Sequence, residues 1–213
     1  VVTDYNFTVP LNYRQKEGRK ISIFAREILN EKHEEKSIPY LIFFQGGPGY
    51  ESPRPLTNSG WIQRASEDYK VLLIDQRGTG LSTPIDSNNM KNLSDQELAD
   101  YLTFFRADNI VKDAEHIRKH LIGENKWSVL GQSFGGFCAM HYVSFFPDSL
   151  EKVFITGGLP PLDAHPDDIY RATFKRVIEK NNLFFKIFPK AKKVMNKIAR
   201  YLNENEVALP NGD

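Results

Sequence analysis

The stretch WSVLGQSFGGFCAM, Trp127 to Met140, decides how the rest of the chain is read. Gly131-Gln132-Ser133-Phe134-Gly135 has the form G-x-S-x-G, with an apolar run leading in and a helix-like run, FCAMHYVSFF, leading out. A serine held on a tight turn between a buried strand and a helix reads this way, with glycines where side chains would collide. By itself the pattern is weak, because a Gly-rich strand-to-helix turn can carry an incidental serine. A serine hydroxyl near neutral pH also needs a histidine to take its proton and a carboxylate to orient that histidine. The reading of Ser133 therefore depends on its surroundings.

Two strand-like runs precede it. IPYLIFF and YKVLLID are continuous and apolar, as strands covered on both faces should be, and they stop at QGGPGY and QRGTG. A tetrahedral oxyanion needs two converging N–H donors, and backbone amides of a Gly-rich loop supply them without side-chain obstruction. One donor is expected from the residue after the serine, Phe134. The other is expected from QGGPG, with Gly47 the first choice and Gly46 the second. A plain Gly-Pro turn is the alternative reading of that loop. DQRGTGLS, Asp75 to Ser82, contains G-x-G, but neither a dinucleotide nor a P-loop pattern occurs anywhere. Asp75 and Arg77 are read as bracing this loop through an ion pair or hydrogen bonds, not as acting on substrate.

Elsewhere the periodicities alternate between strand and helix. The first 30 residues read as two antiparallel strands, YNFTV and KISIFAREI, joined through KEG. NSGWIQRASED reads as a short helix starting at Asn58 or Ser59. NLSDQELADYLTFFRADNIVKDAEHIRKHLI is helical in pattern, with a capping box at Ser94 and Glu97 and one apolar face at Ile110, Ala114, Ile117 and Leu121. Gly123 ends it. EKVFIT is a fourth buried-type strand. This alternation implies a mostly parallel α/β sheet with flanking helices. From His165 the texture changes to helices rich in Lys and aromatic residues, whose charges read as a solvated face. The boundary is expected near Leu162.

Composition excludes several classes. The chain has 213 residues, 40% of them hydrophobic and 26% charged, which is a globular balance. A net charge of +1 gives no field that would favour nucleic acid or anionic lipid. The longest apolar runs fall far short of the roughly 20 residues that span a bilayer, and no basic-then-apolar leader opens the sequence. The single cysteine, Cys138, cannot form an internal disulfide, which fits a reducing compartment. A soluble, cytoplasmic protein is expected, with neither nucleic acid nor membrane as partner. His116 and His120 stand four apart but lack a third ligand, so no metal is expected.

QGGPG, DQRGTGLS and GQSFGG, in this order and spacing, resemble the proline iminopeptidases (prolyl aminopeptidases) of the α/β-hydrolase superfamily. FRADNIVKDAEHIR and TGGLPPL are similar to the longer bacterial-type members. The resemblance runs over essentially the whole chain from about Tyr5. It implies Ser133 as nucleophile, and the 45–49 loop with Phe134 as oxyanion hole. It also implies release of an N-terminal proline from peptides without a cofactor, and a helical cap whose acidic residues recognise the free imino nitrogen. Residues 1–162 would be the N-terminal part of the hydrolase core and 163–213 the beginning of the cap. One departure is Gln45, where the first loop often begins with His; backbone donors make this of little consequence.

The triad partners are missing. In this fold the order is Ser, acid, His, and only His141 and His165 follow Ser133. His141 lies about two turns down the following helix and points away from its tip. His165 follows Asp163 by two residues, and two neighbours on one loop seldom span the distance from acid to serine. The acid and base are therefore expected in a C-terminal remainder of the same protein. The edge that EKVFIT would leave unpaired points the same way. Two rival functions remain at this stage: another esterase or amidase on the same scaffold, and a hydrolase-like binding module without catalysis.

Overall fold

The computed structural model describes residues 1–34, 37–57, 59–86, 90–159, 161 and 163–207. Its contacts divide the chain into two compact units, Val1–Pro160 and Pro161–Asp213. Leu162, where the sequence changes texture, lies outside the described residues, as does Asn58.

The first unit is built on β1 (Val2–Pro10), β2 (Lys20–Ile28), β3 (Tyr40–Phe44), β4 (Lys70–Ile74), β5 (Trp127–Gln132) and β6 (Leu150–Thr156). They form one sheet in the order β1-β2-β4-β3-β5-β6. The β1–β2 and β2–β4 pairings are antiparallel. The β4–β3, β3–β5 and β5–β6 pairings are parallel. Continuous apolar runs in β3 and β4 reflect two covered faces. Ile42, Phe44, Leu72 and Ile74 join the larger core with Ile110, Val111, Ala114, Ile117, Trp127 and Tyr142. Phe43, Val71 and Leu73 turn the other way, onto Ile62 of the short helix α1 (Gly60–Ala65).

Helix α2 (Asp95–Leu102) starts with the expected capping box at Ser94 and Glu97. The helical pattern that follows is not continuous. A 3-10 turn, Thr103–Phe105, and an extended Arg106 (φ −94°, ψ 166°) separate α2 from α3 (Ala107–Ile122). The break frees the Phe104 carbonyl, which accepts from Arg77 Nη1 at 2.7 Å. Gly123, at φ 61°, ends α3. Helix α4 (Phe134–Phe145) follows β5 directly.

β6 is the unpaired edge expected of EKVFIT. Its sequence reads as a buried strand, yet only Leu150 is buried. It is the last strand of the sheet, paired only with β5, and Val153 and Phe154 remain 37% and 43% exposed. The second unit consists of α5 (Pro166–Ile187) and α6 (Pro189–Glu204), each with proline in its first turn. Among the described residues no helix is long and apolar enough to cross a membrane.

Candidate active site

β4, β3 and β5 run parallel as neighbours, so the segments that follow them emerge at one edge of the sheet. These segments are Asp75–Ser82, the 45–49 loop and Ser133. Ser133 joins β5 to α4 at φ 54° and ψ −120°. Only one other described non-glycine residue, Thr83, has a positive φ. Such a conformation costs about 1–3 kcal/mol and persists only where its surroundings fix it. Here the Ser133 N–H donates to the Thr156 carbonyl of β6 at 2.8 Å, and its own carbonyl accepts from Gly136 N at 2.8 Å. The close fit requires missing side chains. A Cβ on Gly135 would lie 1.9 Å from the Phe44 carbonyl oxygen, and one on Gly158 would lie 2.3 Å from the Ser133 carbonyl oxygen. Ser133 itself is half-buried at the tip.

The 45–49 loop lies against this turn. A Cβ on Gly46 would stand 3.0 Å from Ser133 Cβ, so the Gly46 backbone abuts the serine. At Gly47 the corresponding space is closed by Gly49 N and Tyr50, each at 3.0 Å. The Gly47–Pro48 peptide is cis. Among the described residues neither Gly46 nor Gly47 donates its N–H to a backbone carbonyl. Phe134 is the first residue of α4, so its N–H has no carbonyl one turn earlier to take it. Free amides on both sides of a serine hydroxyl are what a developing oxyanion requires.

Asp75 and Arg77 both brace, through different partners. The buried Asp75 carboxylate accepts from Ser52 N and Leu81 N, each at 2.9 Å, and pairs with Arg54. Beside it Gln76 Nε2 holds the Gln45 carbonyl at 2.9 Å, tying this loop to the glycine loop. Arg77 is fully buried and forms a two-point pair with Asp113, its Nε reaching Oδ2 at 2.7 Å. It also donates to the carbonyls of Pro10, Leu11 and Phe104. Tyr13 OH completes the set by donating to Asp113 at 2.7 Å. Burial pushes Asp113 upward from the ordinary carboxylate range, against the opposing pull of Arg77 and Tyr13.

The histidines go elsewhere. His141 meets the Phe137 ring edge-on and stacks on Phe145, with ring centroids 4.7 and 5.7 Å away. His165 caps α5 by accepting from Asp167 N. His33 contacts the Glu67 carbonyl, and His116 and His120 are exposed on α3. No described side chain hydrogen-bonds Ser133 Oγ. No cluster that could hold a metal occurs among the described residues.

Sequence reasoning missed a groove beside the turn. It has a volume of about 500 Å³ and is lined by Pro48, Phe105, Arg106, Asp108, Phe134 and Phe137, among others. Its residues come from three separate segments, which no single motif joins. The signals available were the aromatic spacing 134/137 on α4 and the stretches QGGPG and FRADNIVKDAEHIR, which carry Pro48, Phe105, Arg106 and Asp108.

A mostly parallel sheet with a serine at the strand-to-helix turn after β5 defines an α/β hydrolase. The chain belongs to the alpha/beta hydrolase fold family, which it matches over residues 39–194. An alpha/beta fold family hydrolase from Bacillus anthracis shares the fold, with a TM-score of 0.50 over 85% of this chain and 54% of that one, at 21% identity. In sequence the chain is 48% identical to a proline iminopeptidase of Aeromonas sobria over 97% of its own length and 49% of the relative's. It is 38% identical to a proline iminopeptidase of Aspergillus aculeatus over 99% of this chain and 48% of that protein. The chain thus spans about half the length of these curated relatives.

Proposed function

We propose that this chain is the serine-bearing part of a proline iminopeptidase. The similarity to the Aeromonas sobria enzyme, 48% over almost the whole chain, carries the substrate assignment. In this reading Ser133 Oγ attacks the carbonyl carbon of an N-terminal proline. Phe134 N–H and an amide of the Gly46–Gly47 pair hold the oxyanion. Gly47 is the donor favoured by loop position, and Gly46 is the glycine whose backbone abuts the serine. The C–N bond to the second residue breaks, its nitrogen takes a proton, and water then releases proline from the prolyl ester. No cofactor enters the reaction.

The acid and the histidine come, in the same proposal, from a remainder of the functional molecule outside these residues. The absence of a described histidine on Ser133 supports this. Residues 1–162 then form the N-terminal part of the core and 163–213 begin a helical cap. A cytoplasmic setting belongs to the proposal too, supported by the buried free thiol of Cys138.

The test uses the complete protein. Ser133→Ala should lower proline release from a prolyl amide by about 10⁶-fold, and a fluorophosphonate should label Ser133 in the unmodified enzyme. Turnover of an aryl ester without release of proline would instead indicate an esterase. A protein that neither reacts with the fluorophosphonate nor releases proline would be a binding module.

A further inference from the structure

The groove beside Ser133 has a chemistry of its own. α3 begins at the edge of the sheet where β4 ends, because the chain must return along α3 to start β5 parallel to β4 and β3. Its first residues therefore stand near the Ser133 turn. There they meet Pro48 of the glycine loop and Phe134, the residue next to the serine. Phe105, Phe134 and Phe137 give the groove apolar walls, with the Phe134 and Phe137 rings 6.2 Å apart. Two charges line it. Asp108 is engaged by Lys112 Nζ at 3.0 Å. Arg106 is exposed, and its guanidinium has no hydrogen bond or ion pair among the described residues.

These features select among the parts of a prolyl peptide. The imino nitrogen of an N-terminal proline is cationic near neutral pH; Arg106 acts on Asp108 through its charge alone while Lys112 holds that carboxylate directly, so the exposed guanidinium still disfavours a second cation here. A carboxylate is attracted, and Arg is suited to hold one through two parallel hydrogen bonds. A volume of about 500 Å³ also belongs to sites for ligands larger than one five-membered ring. We propose that this groove receives the second residue of the substrate, on the leaving side of the scissile bond. It favours a large apolar or aromatic side chain there, and Arg106 pairs with the free carboxylate when the substrate is a prolyl dipeptide. This inference rests on the proline iminopeptidase reading and specifies its leaving-group side.

The experiment measures kcat/KM of the complete protein on Pro-Phe, Pro-Gly and Pro-Phe amide. The unmodified enzyme should prefer Pro-Phe to both others. Arg106→Gln should lower kcat/KM for Pro-Phe by about tenfold, chiefly through KM, toward the value for the amide, which should change far less. Phe137→Leu should narrow the preference for Pro-Phe over Pro-Gly while leaving the preference over the amide. An enzyme indifferent to the second residue, or an Arg106→Gln variant that slows Pro-Phe and its amide equally, would overturn the subsite and leave proline release standing. If the unmodified enzyme releases proline from none of these substrates, the functional reading and the subsite fall together.

Discussion

Ser133 can occupy its strained backbone position only because the residues around it lack side chains. Gly135 is the sharpest case. In an open helix, Gly→Ala would stabilise by up to about 1 kcal/mol. Here the new methyl would meet the Phe44 carbonyl, a backbone atom of a central strand that cannot turn aside. Gly135→Ala should therefore destabilise, by about 3 kcal/mol, measured by urea unfolding. A stabilised variant would mean that the turn is looser than described. Three residues further along α4, Cys138 is fully buried, and burial pushes its thiol up to about 12. The thiolate is the reactive form, so the native protein at pH 8 should leave Ellman's reagent unreacted at this position, and unfolding should expose one reactive thiol. Rapid labelling of Cys138 in the native state would contradict the packing of α4 on the sheet.

At the scale of elements, local chemistry set most boundaries. The Ser94–Glu97 pair closes its capping box, with Glu97 accepting from Ser94 N at 2.9 Å and from Ser94 Oγ at 2.7 Å. Ser94→Ala should lower the melting temperature by about 2–4 °C. These same bonds hold the Glu97 carboxyl below its usual range. A depressed carboxylate stabilises the fold above its unfolded pKa, and the benefit is lost as pH falls through the folded value. The Ser94→Ala deficit should accordingly shrink in melts below about pH 4. Strands β3, β4 and β5 were legible because each is a short apolar run followed closely by glycine, and the serine turn was legible because Gly131, Gly135 and Gly136 lie within three positions of Ser133; Gly158, from after β6, was not. The break at Arg106 was not, since the carbonyl that Arg77 captures there lies 27 positions away in sequence. The unpaired edge of β6 was legible too, because its run is apolar enough for a covered strand and no further strand-like run follows it. Within EHIRKH the charges divide: His116 and His120 face water, while Glu115 and Arg118 are buried as a pair. Arg118 closes the α3–β5 connection on the Gly123 and Asn125 carbonyls, and Glu115 accepts from Tyr142 OH. Helical spacing placed Ile110, Ala114 and Ile117 in the core but could not reveal that polar partners were buried beside them.

At the scale of the first unit, one buried ion pair joins segments that the sheet leaves apart. Arg77 and Asp113 connect the loop after β4 to α3, and Arg77 also holds the Pro10 and Leu11 carbonyls after β1. Tyr13 reaches the same carboxylate from the β1–β2 connection. Because the Phe104 carbonyl is another acceptor, the position of Phe105 in the groove beside Ser133 depends on this pair as well. Removing one member leaves the other charge buried without compensation, which costs about 3–5 kcal/mol, whereas replacing both by apolar groups of similar volume is far milder. Arg77→Met and Asp113→Leu should each destabilise strongly, and the double variant should lose much less than their sum. The coupling should exceed about 1 kcal/mol in a double-mutant cycle read by urea unfolding. Strict additivity would mean that the two residues act through separate contacts. In that case the link between the β1–β2 hairpin, the loop after β4 and the groove would have to be carried by the backbone alone.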